Sequence, residues 1–122
     1  MQKQLKDKIL KTASEMRIDV IKMTYLAGAQ GAHIGGSLST IEIIAVLYTA
    51  VMHIDSQQPL MDERDRFILS KGHGAIGLYA ALRQAGYLTQ EELWTYKTND
   101  SIISAHPSLL PQKGMEFASG SL

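Results

Sequence analysis

Residues 62–82, DERDRFILSKGHGAIGLYAAL, carry the pattern that decides the fold. The apolar segment Phe67–Leu69 follows a charged run, which predicts a short buried strand. Residues 70–74 then form a glycine-containing turn into a helix predicted over residues 75–85, with Gly86 as its stop. Because one strand cannot make a sheet, this strand–turn–helix unit requires neighbouring strands. The fragment is therefore predicted to be α/β in class, mostly α with one short buried strand.

Upstream of this unit, the chain predicts a long amphipathic helix. Apolar residues recur at steps of three and four from Leu5 to Ala27, as expected for one face of a helix. Gly28 follows as its natural stop. Residues 28–37 hold four glycines and one histidine, a composition that predicts an ordered loop.

Two capping boxes predict further helix starts. Ser39 with Glu42 begins a helix over residues 40–51 that is apolar nearly all round, so it is expected to be covered on several sides within a larger structure. Thr89 with Glu92 begins a short helix after the central unit.

Composition narrows the class of protein without naming a partner. Of the 122 residues, 45% are hydrophobic and 20% charged, as in an ordinary globular domain. Twelve basic and twelve acidic side chains balance, so no net field favours nucleic acid or a membrane surface, and neither is expected as a partner. No apolar run approaches the ~20 residues that cross a bilayer. The absence of cysteine suits a reducing compartment, and a cytoplasmic location is expected.

Three of the four histidines lie in loops beside glycine or proline: His33 in GAHIGG, His73 in SKGHG and His106 in SAHP. Loop histidines on a rigid scaffold can bind ligands or move protons near neutral pH. The SKGHG turn can also hold phosphate at a helix N-terminus, so a module that binds phosphate through this turn alone is one alternative. Three imidazoles can hold zinc, but their wide spacing carries no ligand signature, so no metal site is expected. His53 is assigned a structural or capping role.

Taken together, three blocks closely resemble the amino-terminal half of transketolases. They are GAHIGGSLSTIEIIAVLY at 31–48, the central unit followed by RQAGYL at 83–88, and SAHP followed by GMEFASGSL at 114–122. The blocks occur in the same order as in the family, and the segment HIGGSLS is most similar to the sequences of transketolases that are split into two subunits. The resemblance implies that residues 1–122 form part of a three-layer α/β/α domain that binds thiamine diphosphate.

The resemblance also implies roles for matching residues. His33 and His106 match histidines that handle protons and hydroxyls of the donor sugar, so both are expected to be catalytic. His73 matches a histidine at the cofactor diphosphate, and Gly120 and Leu122 match a loop around the cofactor rings; these three are expected to bind cofactor. The implied reaction is transfer of a two-carbon ketol unit between sugar phosphates, with thiamine diphosphate stabilising the carbanion.

The chain also departs from the family. The block that binds the divalent metal, Mg²⁺, is expected beyond GSL, and the glutamate that activates the cofactor belongs to the family's second half. The chain is therefore expected to be truncated before the metal-binding block and inactive alone. It is expected to form a homo-oligomer and to require a separate carboxy-terminal subunit. The alternative is a noncatalytic remnant or interaction module of the same fold.

Overall fold

The computed structural model describes residues 2–120, and the helices in this part of the chain pack around one apolar core. The α-helices are α1 (Lys3–Ala27), α2 (Ile34–Leu38), α3 (Ile41–Val46), α4 (Ala75–Gln84) and α5 (Gln90–Trp94). Turns of 3₁₀ helix lie at Gly28–Gln30, Gly72–Gly74 and Pro111–Lys113, and a π-helical turn at Leu47–Val51 extends α3.

Helix α1 forms as its apolar pattern predicts. Its buried residues recur at helical spacing along one face: Ala13, Met16, Asp19, Val20, Met23 and Ala27. Gly28 ends the helix with φ +58°, a conformation that favours glycine. The stripe of periodic apolar residues therefore becomes the surface that α1 turns toward the core.

Helix α4 lies at the centre of the fold. Residues 75–82 are all buried, because this helix is apolar on every side and α1, α2, α3 and α5 pack around it. Gly77 lets the chain before α3 approach closely, since a Cβ there would lie 3.1 Å from both the Ser37 carbonyl oxygen and Thr40 Oγ1. The end of α4 is confirmed within a residue, and Gly86 has φ +90°.

The strand predicted at Phe67–Leu69 does not form within residues 2–120. This segment has no regular secondary structure and pairs with no neighbour, and Ile68 is 64% exposed rather than buried. In the described part of the chain, the β-type pairing that occurs is a bridge between Leu110 and Met115. Because a strand needs a neighbour to satisfy its backbone N–H and C=O groups, a lone apolar triplet stays irregular. The structure of residues 2–120 is mostly helical.

The helix predicted over residues 40–51 is confirmed within one residue, since α3 begins at Ile41 and its π-helical turn ends at Val51, but the cap predicted for it is wrong. Ser39 makes no capping box; its hydroxyl donates to the Gly36 carbonyl instead, at 3.2 Å. Glu42 forms an ion pair with Arg17. The loop predicted over residues 28–37 contains a 3₁₀ turn and the start of α2. The second predicted capping box, Thr89 with Glu92, is confirmed at the start of α5.

Several large apolar side chains remain on the surface. They lie on α1 and along α3 with its π-helical turn, and include Ile18 (66% exposed), Tyr25 (76%), Ile43 (64%) and Val51 (63%). The expectation that residues 40–51 are covered on several sides is therefore not met by this chain alone. Among the helices formed by residues 2–120, none has both the length and the apolarity to span a bilayer.

Candidate functional site

The three loop histidines converge, although 73 residues separate the first from the last. The ring centroids of His33 and His73 lie 4.2 Å apart, those of His73 and His106 5.2 Å, and those of His33 and His106 6.2 Å. His33 is exposed, and the other two are half-buried. We refer to His33, His73 and His106 as the histidine cluster. The fourth histidine, His53, is exposed and lies outside it, with its backbone N–H donating to Asp65.

His33 is positioned by the turn that enters α2. It stands at the N-cap of this short helix, where its carbonyl accepts the N–H of Ser37 at 3.3 Å. Gly31, two residues earlier, has φ +67° and turns the chain into this position. Glycines in this block thus shape the backbone that carries the imidazole.

His73 is positioned by the 3₁₀ turn that leads into α4. The turn is closed by the Gly74 N–H, which donates to the Lys71 carbonyl at 2.9 Å. Gly36 lies directly against it, because a Cβ at Gly36 would lie 3.1 Å from the His73 carbonyl oxygen. The close contact between two glycine-containing turns is what brings His33 and His73 together.

His106 is positioned by hydrogen bonds that lead back to the core. Tyr79, in α4, donates its hydroxyl to the Ser104 carbonyl at 2.7 Å. Ser104 in turn donates its hydroxyl to the His106 carbonyl at 2.5 Å. The buried central helix therefore fixes the irregular loop that carries the third histidine.

The end of the described chain covers the SKGHG turn. A Cβ at Gly72 would lie 2.6 Å from the Gly120 carbonyl oxygen, 2.8 Å from Ser119 Oγ and 3.1 Å from His106 Cδ2. Because Gly72 has no side chain, residues 119–120 of the same chain can pack directly against the Cα of Gly72. Gly120 thus lies beside the histidine cluster, whereas Leu122 lies outside the described residues.

Two polar atoms beside the cluster are buried and lack a hydrogen-bond partner in the protein. They are Nε2 of His106 and Oγ of Ser119. Buried polar groups are rarely left unpaired, so each unpaired atom indicates a place for a ligand or water. Sequence reasoning missed Ser119, and its position beside the matching GSL block was the available signal.

Electrostatics favour the neutral form of His33. Loss of solvent around the ring lowers its pKa, and the positive charges that His73, His106 and Lys97 can carry lower it further. A neutral imidazole offers one nitrogen that accepts a proton or binds a metal ion. His33 is therefore suited to accept a proton near neutral pH.

This fold and site define a class of protein: a cofactor-binding domain of the transketolase type. The family described as "Transketolase, thiamine diphosphate binding domain" matches residues 10–122, and the chain belongs to it.

The particular relatives include split enzymes. The chain is 37% identical over 116 residues to one subunit of the apulose-4-phosphate transketolase of Actinobacillus succinogenes, covering 95% of this chain and 42% of that protein. It is 43% identical over 90 residues to the 6-deoxy-6-sulfo-D-fructose transketolase subunit SqwG of a Clostridium species, covering 74% and 33%. The solved transketolase from Leishmania mexicana superposes with a TM-score of 0.83 at 34% identity, covering 92% of this chain and 17% of that one. The chain spans less than half the length of these relatives.

Proposed function

We propose that this chain supplies the histidine side of a thiamine diphosphate site that transfers a two-carbon ketol unit between sugar phosphates. The observation that carries the proposal is the convergence of His33, His73 and His106, with ring centroids 4.2 to 6.2 Å apart. Membership of the thiamine diphosphate binding family supports the choice of cofactor.

The residues present fit the organic cofactor. His106 Nε2 and Ser119 Oγ are buried polar atoms that a bound ligand can satisfy. His73 lies in the 3₁₀ turn that leads into α4, where the positive end of the helix dipole favours an anionic group such as a diphosphate. The cofactor, when bound, supplies the stabilisation of a carbanion that amino-acid side chains lack.

Each site residue then has a distinct task in the proposal. His73 holds the diphosphate, and Gly120 with Leu122 packs beside the cofactor rings. His33 and His106 bind the hydroxyls of the donor sugar and pass protons, which requires hydrogen-bond distances between their ring nitrogens and the sugar. The lowered pKa of His33 keeps it able to accept a proton.

Magnesium does not fit the described residues. Mg²⁺ prefers oxygen ligands, whereas the group of potential ligands found within residues 2–120 consists of three imidazoles. We therefore propose that ligands for a cofactor-bound Mg²⁺ come from outside residues 2–120.

The proposal extends to the assembly. Two relatives are named as transketolase subunits, which supports a partner in the form of a separate carboxy-terminal subunit. A homo-oligomer and a cytoplasmic location are also part of the proposal. We further propose that Phe67–Leu69 pairs as a strand in the complete three-layer α/β/α domain. The exposure of Ile68 (64%) is consistent with a surface that such neighbours cover.

Calorimetric titration with thiamine diphosphate and Mg²⁺ tests the proposal, with and without a separately produced carboxy-terminal transketolase subunit. Saturable cofactor binding is expected when both chains are present. The variant His73→Ala should weaken it at least tenfold, through loss of a hydrogen bond to a charged group worth about 1.5–3 kcal/mol. His53→Ala is the matched control and should leave it unchanged. Equal affinity in the wild type and His73→Ala would contradict the assigned role.

A second candidate function is a noncatalytic interaction module of the same fold. The exposed apolar residues Ile43, Val46 and Val51 favour it, because α3 and its π-helical turn present them on the surface. The same titration separates the two functions. Association with the carboxy-terminal subunit in the absence of any cofactor binding would favour the module.

A further inference from the structure

We propose that the histidine cluster is a binding site for a borderline transition-metal ion, of the Zn²⁺ type, in which His33, His73 and His106 each supply one imidazole nitrogen. One ligand nitrogen from each of the three residues lies within 4.8 Å of the other two. The site is distinct from any oxygen-ligated Mg²⁺ site, and its occupancy requires neither cofactor nor substrate.

The distances are close to those that a zinc ion needs. Zinc–nitrogen bonds of about 2.0–2.1 Å in a tetrahedral arrangement place the ligand nitrogens about 3.3 Å apart. The three nitrogens, within 4.8 Å of one another, must therefore close by no more than about 1.5 Å per pair. Side-chain rotation alone covers such a movement, so the backbone of the three turns can stay as it is.

The rings must also turn, because nitrogen lone pairs lie in the ring planes. The planes of His33 and His106 are inclined by 22°, those of His33 and His73 by 35°, and those of His73 and His106 by 38°. Nearly stacked rings must rotate about χ2, a broad and soft torsion in histidine. His33 is exposed, and Nε2 of His106 has no hydrogen bond to lose. The rotation therefore breaks no hydrogen bond at His106 Nε2.

The chemistry of the donors selects the class of metal. Imidazole suits Zn²⁺, Cu²⁺ and Ni²⁺, whereas Mg²⁺ and Ca²⁺ require carboxylate and carbonyl oxygens. No carboxylate belongs to this cluster in the described part of the chain. Three protein ligands leave a fourth position for water or a ligand, and the exposure of His33 leaves a path to it.

Protons compete with the metal, because only neutral imidazole coordinates. The affinity for zinc is therefore expected to fall as the pH drops below the ordinary pKa of histidine.

The inference stands apart from the proposed function, although both use the same histidines. If both hold, zinc and the cofactor compete for this pocket, and zinc inhibits the assembled enzyme. The metal site is tested with the metal alone, so a failure there leaves the cofactor proposal standing, and a failure of cofactor binding leaves the metal site standing.

The test is calorimetric titration of the full, tag-free chain with ZnCl₂ near neutral pH. One ion is expected per chain. His33→Ala should weaken binding at least about tenfold, since even outer-shell changes cost 10–100-fold at zinc sites. The exposure of His33 means that this variant should keep the wild-type circular dichroism spectrum. The matched control is His53→Ala, which removes the remaining histidine of the four and should change the affinity less than twofold.

Further variants keep the test decisive. His73→Asn and His106→Asn should each weaken zinc binding as His33→Ala does, and MgCl₂ should show no saturable binding to the chain alone. Absence of saturable zinc binding by the folded wild type would overturn the proposal. Equal losses in His33→Ala and His53→Ala would also overturn it, because they would show non-specific binding to scattered imidazoles.

Discussion

The histidine cluster places three groups that can each become cations within a few ångströms of one another. A positive charge on either neighbouring ring opposes protonation of His33, because like charges a few ångströms apart repel each other. This repulsion, together with partial loss of solvent, lowers the pKa of His33. Neutral imidazole is therefore favoured at the position that is most open to an incoming ligand.

The His33 pKa can be measured by NMR titration of the imidazole Cε1–H resonances. The midpoint should lie below the ordinary histidine value, and His73→Asn should raise it by removing one repelling cation. Since the pKa of His33 is lowered in the folded state, its contribution to stability is fully present at a pH above the ordinary histidine pKa. That contribution is lost as the pH falls through the lowered, folded-state pKa. An unchanged His33 midpoint in His73→Asn would exclude a coupling between the two rings.

Gly72 is the residue on which close packing of the site depends. In Gly72→Ala the added Cβ would lie 2.6 Å from the Gly120 carbonyl oxygen and 3.1 Å from His106 Cδ2, so residues 106 and 119–120 must move. We expect a loss of about 1–3 kcal/mol in the free energy of unfolding, measured with urea. Gly35→Ala is the control, because a Cβ there meets nothing within 4 Å and α2 gains helix propensity. Equal stability of the two variants would contradict this packing.

At the scale of elements, the two capping boxes of the sequence behave differently. At α5, the Thr89 hydroxyl accepts the Glu92 N–H at 3.1 Å, and the Glu92 carboxylate accepts the Thr89 N–H at 2.9 Å. At α3, the motif forms no cap and the helix begins at Ile41, one residue later than predicted, because α2 already occupies the residues before Ser39. A local motif predicts a cap only where the chain before it is free to be non-helical.

Removing the working cap should have a measurable cost. Thr89→Ala leaves the Glu92 N–H without its side-chain acceptor, so we expect the free energy of unfolding to fall by about 1 kcal/mol in urea titrations. Ser39→Ala removes an exposed hydroxyl that accepts no N–H at the start of α3 and donates only a 3.2 Å hydrogen bond to Gly36, so it should cost less than about 0.5 kcal/mol. The opposite order would mean that the sequence motif at Ser39, and not the structure, describes the helix start.

The elements that the sequence predicts well are those with long, one-sided periodicity. Helix α1 is confirmed along its length because seven apolar residues recur at helical spacing between Leu5 and Ala27, and α4 is confirmed because its run of apolar residues is long. Phe67–Leu69 was not predictable in the same way, because a strand depends on partners elsewhere in space. The convergence of His33, His73 and His106 followed from the family resemblance, since no spacing rule joins three separate loops. The hydrogen bonds from Tyr79 to the His106 loop have no sequence signal.

At the scale of the whole molecule, one buried ion pair joins the two main helices. Arg83 at the end of α4 donates to both carboxylate oxygens of Asp19 in α1, at 3.0 and 2.9 Å. The Asp19 side chain is 3% exposed, and that of Arg83 is 29% exposed. Burial raises the pKa of Asp19, and Arg83 opposes the shift by stabilising the carboxylate. The packing of α1 on α4 therefore depends on a charge that water does not reach.

Replacing Arg83 with methionine tests this dependence, because Arg83→Met keeps the apolar stem and leaves the Asp19 carboxylate without its partner. We expect a loss of about 2–3 kcal/mol in the free energy of unfolding at neutral pH, which is below the about 3–5 kcal/mol typical of fully buried pairs because Arg83 is partly exposed. The double variant Asp19→Asn with Arg83→Met should be more stable than Arg83→Met alone, since it removes the buried charge.

A group whose folded-state pKa is raised contributes most below its unfolded value and loses that contribution as the pH rises through the folded-state value. Because the pKa of Asp19 rises further without Arg83, the deficit of Arg83→Met should shrink on acidification, and urea titrations at neutral and mildly acidic pH should show the difference. A deficit that is independent of pH and unchanged in the double variant would mean that Arg83 acts through packing alone.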